Sequence, residues 1–267
     1  MDTILKKMIT LQKFIALSNN IDIIYCPIYY INQEKFPALK PEFTPPNHPY
    51  KLITHGGDAT ITEDCLPILN SENLIAWYSI NVGISHPKLH HIPIGVNFLG
   101  ESTEQDFLDI INLNIEKTNT LYTNFSLYVW DKERKRCNDA LKKIGYTNLS
   151  ENNSLSLNPT IPYKKYLADL ASHKFCVTPI GNGFDTFRLW ECLYLKVVPI
   201  MVNKISGDKY YGHYKKMLED FPILWIDSWD DLKADDLNKS RYVDIIETKK
   251  FGLEKLNFDY WKNLIIR

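Results

Sequence analysis

The segment from Lys174 to Val202, KFCVTPIGNGFDTFRLWECLYLKVVPIMV, constrains this chain more than any other stretch. It reads as an apolar strand ending at Pro179, a tight Gly181-Asn182-Gly183 turn, a helix, and a second apolar strand around Val197 to Met201. Strand, helix, strand is the building unit of α/β architecture. The two glycines permit positive φ and a close backbone approach to a ligand. Asp185 or Thr186 is placed as the helix N-cap, so free backbone N–H groups and the positive dipole end should face the turn. That combination suits an anion, most naturally a phosphate. Arg188 lies about one turn into the helix, and Glu191 three residues later on the same face. A cation for phosphate oxygens and a carboxylate for sugar hydroxyls thus stand side by side, the outline of a nucleotide site. The plainer reading is a surface ion pair contributing a few tenths of a kcal/mol. Two phosphate motifs are excluded, since no Gly-Lys-Ser/Thr follows the glycines and G-x-G-x-x-G is absent.

Short apolar runs alternate with helical or loop segments along the whole chain, which predicts an α/β fold. Strands are expected at Ile21–Tyr25, Lys51–Thr54, Leu74–Tyr78, His91–Ile94, Leu121–Tyr128 and Ile223–Ile226, besides the two above. Expected helices are Glu101–Leu113, Lys132–Ile144, Tyr163–Ser172, Ser228–Leu237 and a final one at Leu253–Arg267. Phe36–Pro49 reads as a long loop, Asn114–Thr120 as a linker, and the residues from Ile144 to Pro159 as a polar loop. At 267 residues the chain is long for one domain and short for two ordinary ones. Two compact halves, 1–117 and 118–267, are the expectation.

Composition excludes some functions. A net charge of −1 provides no basic excess to neutralise nucleic-acid phosphates. Five scattered cysteines, none in C-x-x-C spacing, predict free thiols in a reducing compartment. No apolar run approaches the length of a membrane span. The first residues read as an amphipathic helix with Ile4, Met8, Leu11, Phe14 and Ile15 on one side, not as a signal peptide. A cytoplasmic location is therefore expected, the host cytoplasm if the chain is viral.

The run S-x-K-F-x-x-x-P-x-G-N-G-x-D-T-x-R-x-W-E-x-L-x-L-x-x-x-P-I resembles the donor-site motif of exostosin-like glycosyltransferases, including short bacterial and large-DNA-virus members. Other segments resemble that family in the same order. They are Thr54-His55-Gly56-Gly57-Asp58, Trp77 with Asn81, His86-Pro87-Lys88-Leu89, Pro93-Ile94-Gly95, and Asn124-Phe125-Ser126 followed by Glu133-Arg134. The resemblance spans about residues 50 to 230. Two positions depart from it: Phe187 where relatives often have His, and Lys196 where Gly is usual and a surface turn change is expected. It implies a GT-B-like fold, two Rossmann-like α/β domains with a cleft between them and a C-terminal helix. The first domain would take the acceptor and the second the nucleotide sugar.

The implied reaction moves a sugar from a nucleoside-diphosphate sugar to a hydroxyl of a glycan or glycoconjugate, with inversion. Fixed positive charge and N–H dipoles can stabilise the departing diphosphate. Arg188 is the first candidate and Arg134 the second; as a basic-helix residue, Arg134 reads equally as part of a solvated face. Ser126, Gly181, Asn182, Gly183, Asp185 and Thr186 would line the diphosphate, and Glu191 would accept from ribose hydroxyls. With no D-x-D pair in the chain, no metal and no cofactor beyond the donor substrate are expected. The general base should come from the first half, Asp58 ahead of His55. Asp58 reads equally well as a cap on the Gly56-Gly57 loop. The alternatives are a non-catalytic nucleotide- or carbohydrate-binding protein on the same fold and, more weakly, a phosphate-sugar epimerase.

Overall fold

The computed structural model describes residues 7–31, 43–98, 102–127, 131–149 and 161–267. Its strands form two four-stranded sheets in which every pairing is parallel. The first holds β1 (Ile23–Pro27), β2 (Tyr50–His55), β3 (Leu74–Ser79) and β4 (Leu89–His91), in that spatial order. The second holds β5 (Asn119–Tyr122), β6 (His173–Val177), β7 (Val198–Val202) and β8 (Leu224–Ile226), again in sequence order. Helix α1 (Leu11–Leu17) precedes β1, α2 (Leu66–Leu69) joins β2 to β3, and α3 (Glu104–Asn112) links the sheets. Between β5 and β6 come α4 (Asp131–Lys143) and α5 (Tyr163–Ala171). Then α6 (Phe187–Tyr194) leads to β7, α7 (Tyr211–Met217) leads to β8, and α8 (Lys239–Thr248) and α9 (Phe258–Ile266) close the chain.

The apolar runs explain the sheets. All of β7 is buried, as expected for a parallel strand covered on both faces. Helix α6 is buried from Leu189 to Tyr194, leaving only Phe187 and Arg188 in its first turn toward the surface. Helix α3 starts at a capping box in which Thr103 and Asp106 satisfy each other's backbone N–H groups. All five cysteines are free and buried, packing as small apolar groups.

Several expectations need correction. β1 starts at Ile23, since Ile21 sits exposed in a turn. β4 is Leu89–His91, and the chain leaves the sheet where His91–Ile94 was expected as a strand. β5 takes Asn119 and Thr120 from the expected linker and ends at Tyr122. The expected helix Ser228–Leu237 is two 3-10 turns, Trp229–Asp231 and Ala234–Asp236, separated by Leu232 in an extended conformation. The helix of that region is α8, capped by the Asn238 side chain. The expected final helix begins as a 3-10 stretch, Lys250–Leu256, before α9. At the other end α1 starts only at Leu11, after Met8 and Ile9, which are buried in extended chain. Ile4, the first half of the expected loop at Phe36–Pro49, Glu101, Tyr128 and most of the polar loop up to Pro159 fall outside the described residues.

The two ends of the chain cross between the halves. Helix α9 packs on the first half: Phe258 meets Phe14 edge-on, and the Tyr78 hydroxyl and Lys51 Nζ donate to the carbonyls of Leu264 and Ile265. In the other direction, the Ile9 N–H donates to the hydroxyl of Tyr194 on α6. Gly95, at φ +72°, lies against that segment so closely that a Cβ would stand 2.2 Å from the Ile9 carbonyl oxygen.

Candidate functional site

Most of the candidate site residues lie just after the carboxyl end of a parallel strand, where open α/β sheets bind ligands. His55 ends β2 and Asp58 follows it; Asn81 follows β3; Ser126 follows β5; the glycine turn follows β6. The loops after β3 and β4 touch the loop after β6. Asn81 Oδ1 accepts from the Asp185 backbone N–H at 3.1 Å, and the Ile94 N–H donates to Asp185 Oδ2 at 2.7 Å.

Asp185 is the keystone of this seam. Its Oδ1 also accepts from Trp190 Nε1 (2.8 Å) and the Tyr214 hydroxyl (3.1 Å). Burial raises its pKa to about 7, against the pull of those hydrogen bonds. The carboxylate is thus turned into the interior and not toward a ligand. Thr186 occupies the N-cap position of α6, with no side-chain capping bond.

The glycine turn has an unexpected reason. Neither Gly181 nor Gly183 adopts positive φ. What Gly183 provides is room, because a Cβ there would stand 2.7 Å from Asn81 Nδ2. Asn81 itself is buried in the left-handed conformation at φ +50°.

Two arginines converge beside this turn. Arg134 of α4 donates from Nε to the Ile180 carbonyl (2.9 Å) and from Nη1 to the Ser126 carbonyl (2.8 Å), which ties the loops after β5 and β6 together. Its Nη2 lies 3.5 Å from where a Gly181 Cβ would be. Arg188 opens α6 and donates from Nε to the Tyr166 hydroxyl (3.3 Å), its guanidinium over that ring. Burial first, and the charge of Arg188 second, lower the Arg134 pKa to about 10. Neither arginine has a carboxylate within ion-pair distance among the described residues. Burial disfavours both cations and Arg134 also feels the charge of Arg188, but the pKa of Arg188 itself is pushed up overall by Tyr166 and its other neighbours.

Glu191 does not form the surface pair with Arg188 that its spacing allows. It is buried, and its oxygens accept from the Tyr163 hydroxyl (2.8 Å) and the Tyr166 hydroxyl (2.5 Å). Burial raises its pKa, while Tyr166, Arg188 and Tyr163 oppose the rise. The two tyrosines, three apart on α5, were the functional residues the sequence reading missed. Their i,i+3 spacing one helix before the motif was the available signal.

In the first half, His55 is buried against Phe14, and its Nδ1 accepts from the Gly56 N–H at 2.8 Å. Burial lowers its pKa to about 4. Its Nε2 is buried without a hydrogen-bond partner among the described residues, so the ring is held neutral away from solvent and Asp58 stays ahead of it as the base candidate. Asp58 is half-buried beyond the bend at Gly56-Gly57. Asn182 is exposed, Ser126 half-buried, and Phe187 stands open to solvent at the head of α6. Elsewhere between the halves lies a cavity of about 600 Å³, lined among others by His86, His91, His213 and Lys216 and by none of the expected site residues. Among the described residues no group of three or more His, Cys, Asp or Glu could hold a metal ion, and no helix is long and apolar enough to cross a membrane. No protein-family model matches the chain, and no curated protein does.

Proposed function

We propose that the chain is a GT-B-like glycosyltransferase, moving a sugar from a nucleoside-diphosphate sugar to a hydroxyl of a glycan or glycoconjugate, with inversion and without a metal. The observation that carries this reading is the pair of arginines, Arg134 and Arg188, beside the loops after β5 and β6, neither with a carboxylate within ion-pair distance among the described residues. A diphosphate matches both charges, and bidentate guanidinium contacts suit its oxygens. In the reaction, the acceptor oxygen attacks the anomeric carbon as its proton passes to Asp58. The bond to the diphosphate oxygen breaks, and the charge collecting there meets the two arginines. A second reading, a non-catalytic nucleotide- or carbohydrate-binding protein, draws support from the burial of His55, which holds one of the two base candidates away from solvent.

Thermal unfolding with nucleoside diphosphates and nucleotide sugars tests the donor site. Ligand at 100 times its dissociation constant adds about 2.7 kcal/mol of stability. Wild-type protein should show that shift and Arg188→Ala should lose it. Equal shifts in both would remove Arg188 from the site. Slow hydrolysis of a bound nucleotide sugar separates the enzyme from the binder.

A further inference from the structure

We propose that Tyr166 is a positioning residue that aims the Arg188 guanidinium at the anion, with Glu191 as its anchor. The inference rests on the reading of Arg188 as a diphosphate ligand.

The geometry orders a chain of hydrogen bonds. Glu191 Oε2 takes the Tyr166 proton at 2.5 Å, so the phenol oxygen keeps its lone pairs for Arg188 Nε, which donates to it at 3.3 Å. A guanidinium is planar, so holding Nε and stacking the group 5.6 Å from the Tyr166 ring centroid fixes the plane of both terminal nitrogens. Nη1 and Nη2 are then left for a ligand. Tyr163 holds the other Glu191 oxygen at 2.8 Å, whereas the side-chain hydrogen bond of Arg188 goes to Tyr166. Tyr122 packs edge-on against Tyr166 and keeps the ring from swinging. Glu191 thus acts through Tyr166 and not on the ribose. A free arginine would lose rotamer entropy on binding an anion; one already held in plane loses less.

The experiment compares Tyr166→Phe with Tyr163→Phe. Each keeps its ring and removes one hydrogen bond to Glu191, so a purely structural role predicts similar effects. The first readout needs no ligand: the arginine Nε–H signals in ¹H–¹⁵N spectra of the full chain, with Arg188 assigned by its loss in Arg188→Ala. The relay predicts that Tyr166→Phe abolishes or shifts the Arg188 signal toward those of free arginines, while Tyr163→Phe preserves it. The second is calorimetric titration with inorganic pyrophosphate. Tyr166→Phe should weaken binding by about tenfold, and Tyr163→Phe should stay within about twofold. Equal behaviour of the two variants in the spectra overturns the relay whatever the titration shows. A lost Arg188 signal with unchanged pyrophosphate affinity overturns its role in binding. Pyrophosphate binding that is indifferent to Arg188→Ala overturns the donor-site reading instead, and the spectra still decide the relay.

Discussion

The polar residues at the carboxyl ends of the two sheets are used in opposite ways. In the first sheet they are neutral and turned inward, most of them bonded to one another, while His55 Nε2 and Asn81 Nδ2 are buried without a partner among the described residues. Trp77 Nε1 donates to Thr54 Oγ1, Thr54 donates to Ser79 Oγ, and Ser79 donates to the Ile80 carbonyl. His91 accepts from the Val82 N–H, and His55 from Gly56. In the second sheet the corresponding edge leaves two guanidinium groups with carbonyl and phenol partners and no carboxylate within ion-pair distance among the described residues. A frame settles its polar groups during folding; a site leaves some to be settled by a ligand. The first half's edge is mostly frame, the second half's mostly site, and Asp58 is the one half-buried carboxylate at the frame's edge that the reaction would need.

The largest expected effect tests that exception. Asp58→Asn should leave nucleotide affinity within a few-fold while sugar transfer falls by about 10² to 10⁴, the usual general-base contribution. Asn keeps the size and most of the turn-capping ability. Transfer at the wild-type rate in a nucleotide-sugar assay would return Asp58 to the frame and leave only the buried His55 as a base candidate among the expected residues.

Next in size is a difference in acid response. His55 and His91 are held neutral, with pKa values lowered by burial to about 4 and about 3. In the unfolded chain they bind protons below about 6.5. Their contribution is therefore full above about pH 6.5 and is lost as pH falls toward 4, at up to about 1.4 kcal/mol per pH unit each. Asp185 has the opposite sign. Its pKa rises to about 7, so its contribution is full below about pH 4 and is lost as pH rises to about 7. Urea midpoints measured from pH 4 to 7 should fall less on acidification in His55→Asn, whose amide oxygen replaces Nδ1 as acceptor. They should fall more steeply in Asp185→Asn. Identical slopes in both variants would show that these groups do not govern the pH response.

The seam where frame meets site gives the third test. Gly183→Ala places a methyl 2.7 Å from Asn81 Nδ2, and overpacking of this kind costs about 1–3 kcal/mol. Asn81→Gly tolerates the local φ of +50° and clears the space, at the loss of its bond to the Asp185 N–H. The double variant should be more stable than the sum of the single changes predicts. Additivity in denaturant unfolding would place the glycine's role elsewhere.

What the sequence disclosed follows from the range of the forces involved. Continuous apolar runs marked β2, β3, β6 and β7 to within a residue or two, because burial on both faces leaves no ambiguity of period. Arg188 stood out from its local spacing beside the glycine turn; Arg134, far upstream in the chain, came with the family resemblance and read equally as part of a solvated face. The role of Gly183 was not, since its constraint comes from Asn81, about a hundred residues earlier in the chain. Glu191 was misread for a related reason: i,i+3 spacing places Arg188 and Glu191 on neighbouring positions of α6 but does not say which is covered by α5. The helix expected at Ser228–Leu237 failed because its aspartates support short turns as readily as a helix start.

The smallest expected effect contrasts the two non-glycine residues that share a left-handed backbone, one at the seam and one far from it. Asn81 at φ +50° uses that conformation to point its amide at Asp185. Lys196 at φ +54° follows Leu195, the C-cap of α6, where its N–H bonds the Leu193 carbonyl and the Val197 N–H bonds the Cys192 carbonyl. Gly is the usual residue there because a Cβ costs about 1 kcal/mol in that conformation. The position is thus a strained helix end and not the neutral surface turn expected from the sequence. Lysine also adds charge beside Lys117, whose pKa is lowered to about 8 by burial chiefly, with Lys196 contributing. Lys196→Gly should therefore stabilise the protein by about 1 kcal/mol, less the greater chain entropy of an unfolded glycine. Asn81→Gly, which relieves the same backbone strain, should destabilise it through the lost contact. A thermal midpoint that rises for Lys196→Gly and falls for Asn81→Gly separates strain tied to the buried seam from strain at a helix end. Two midpoints moving in the same direction would mean that the Asn81 amide contributes no more to the seam than the lysine side chain does to the helix end.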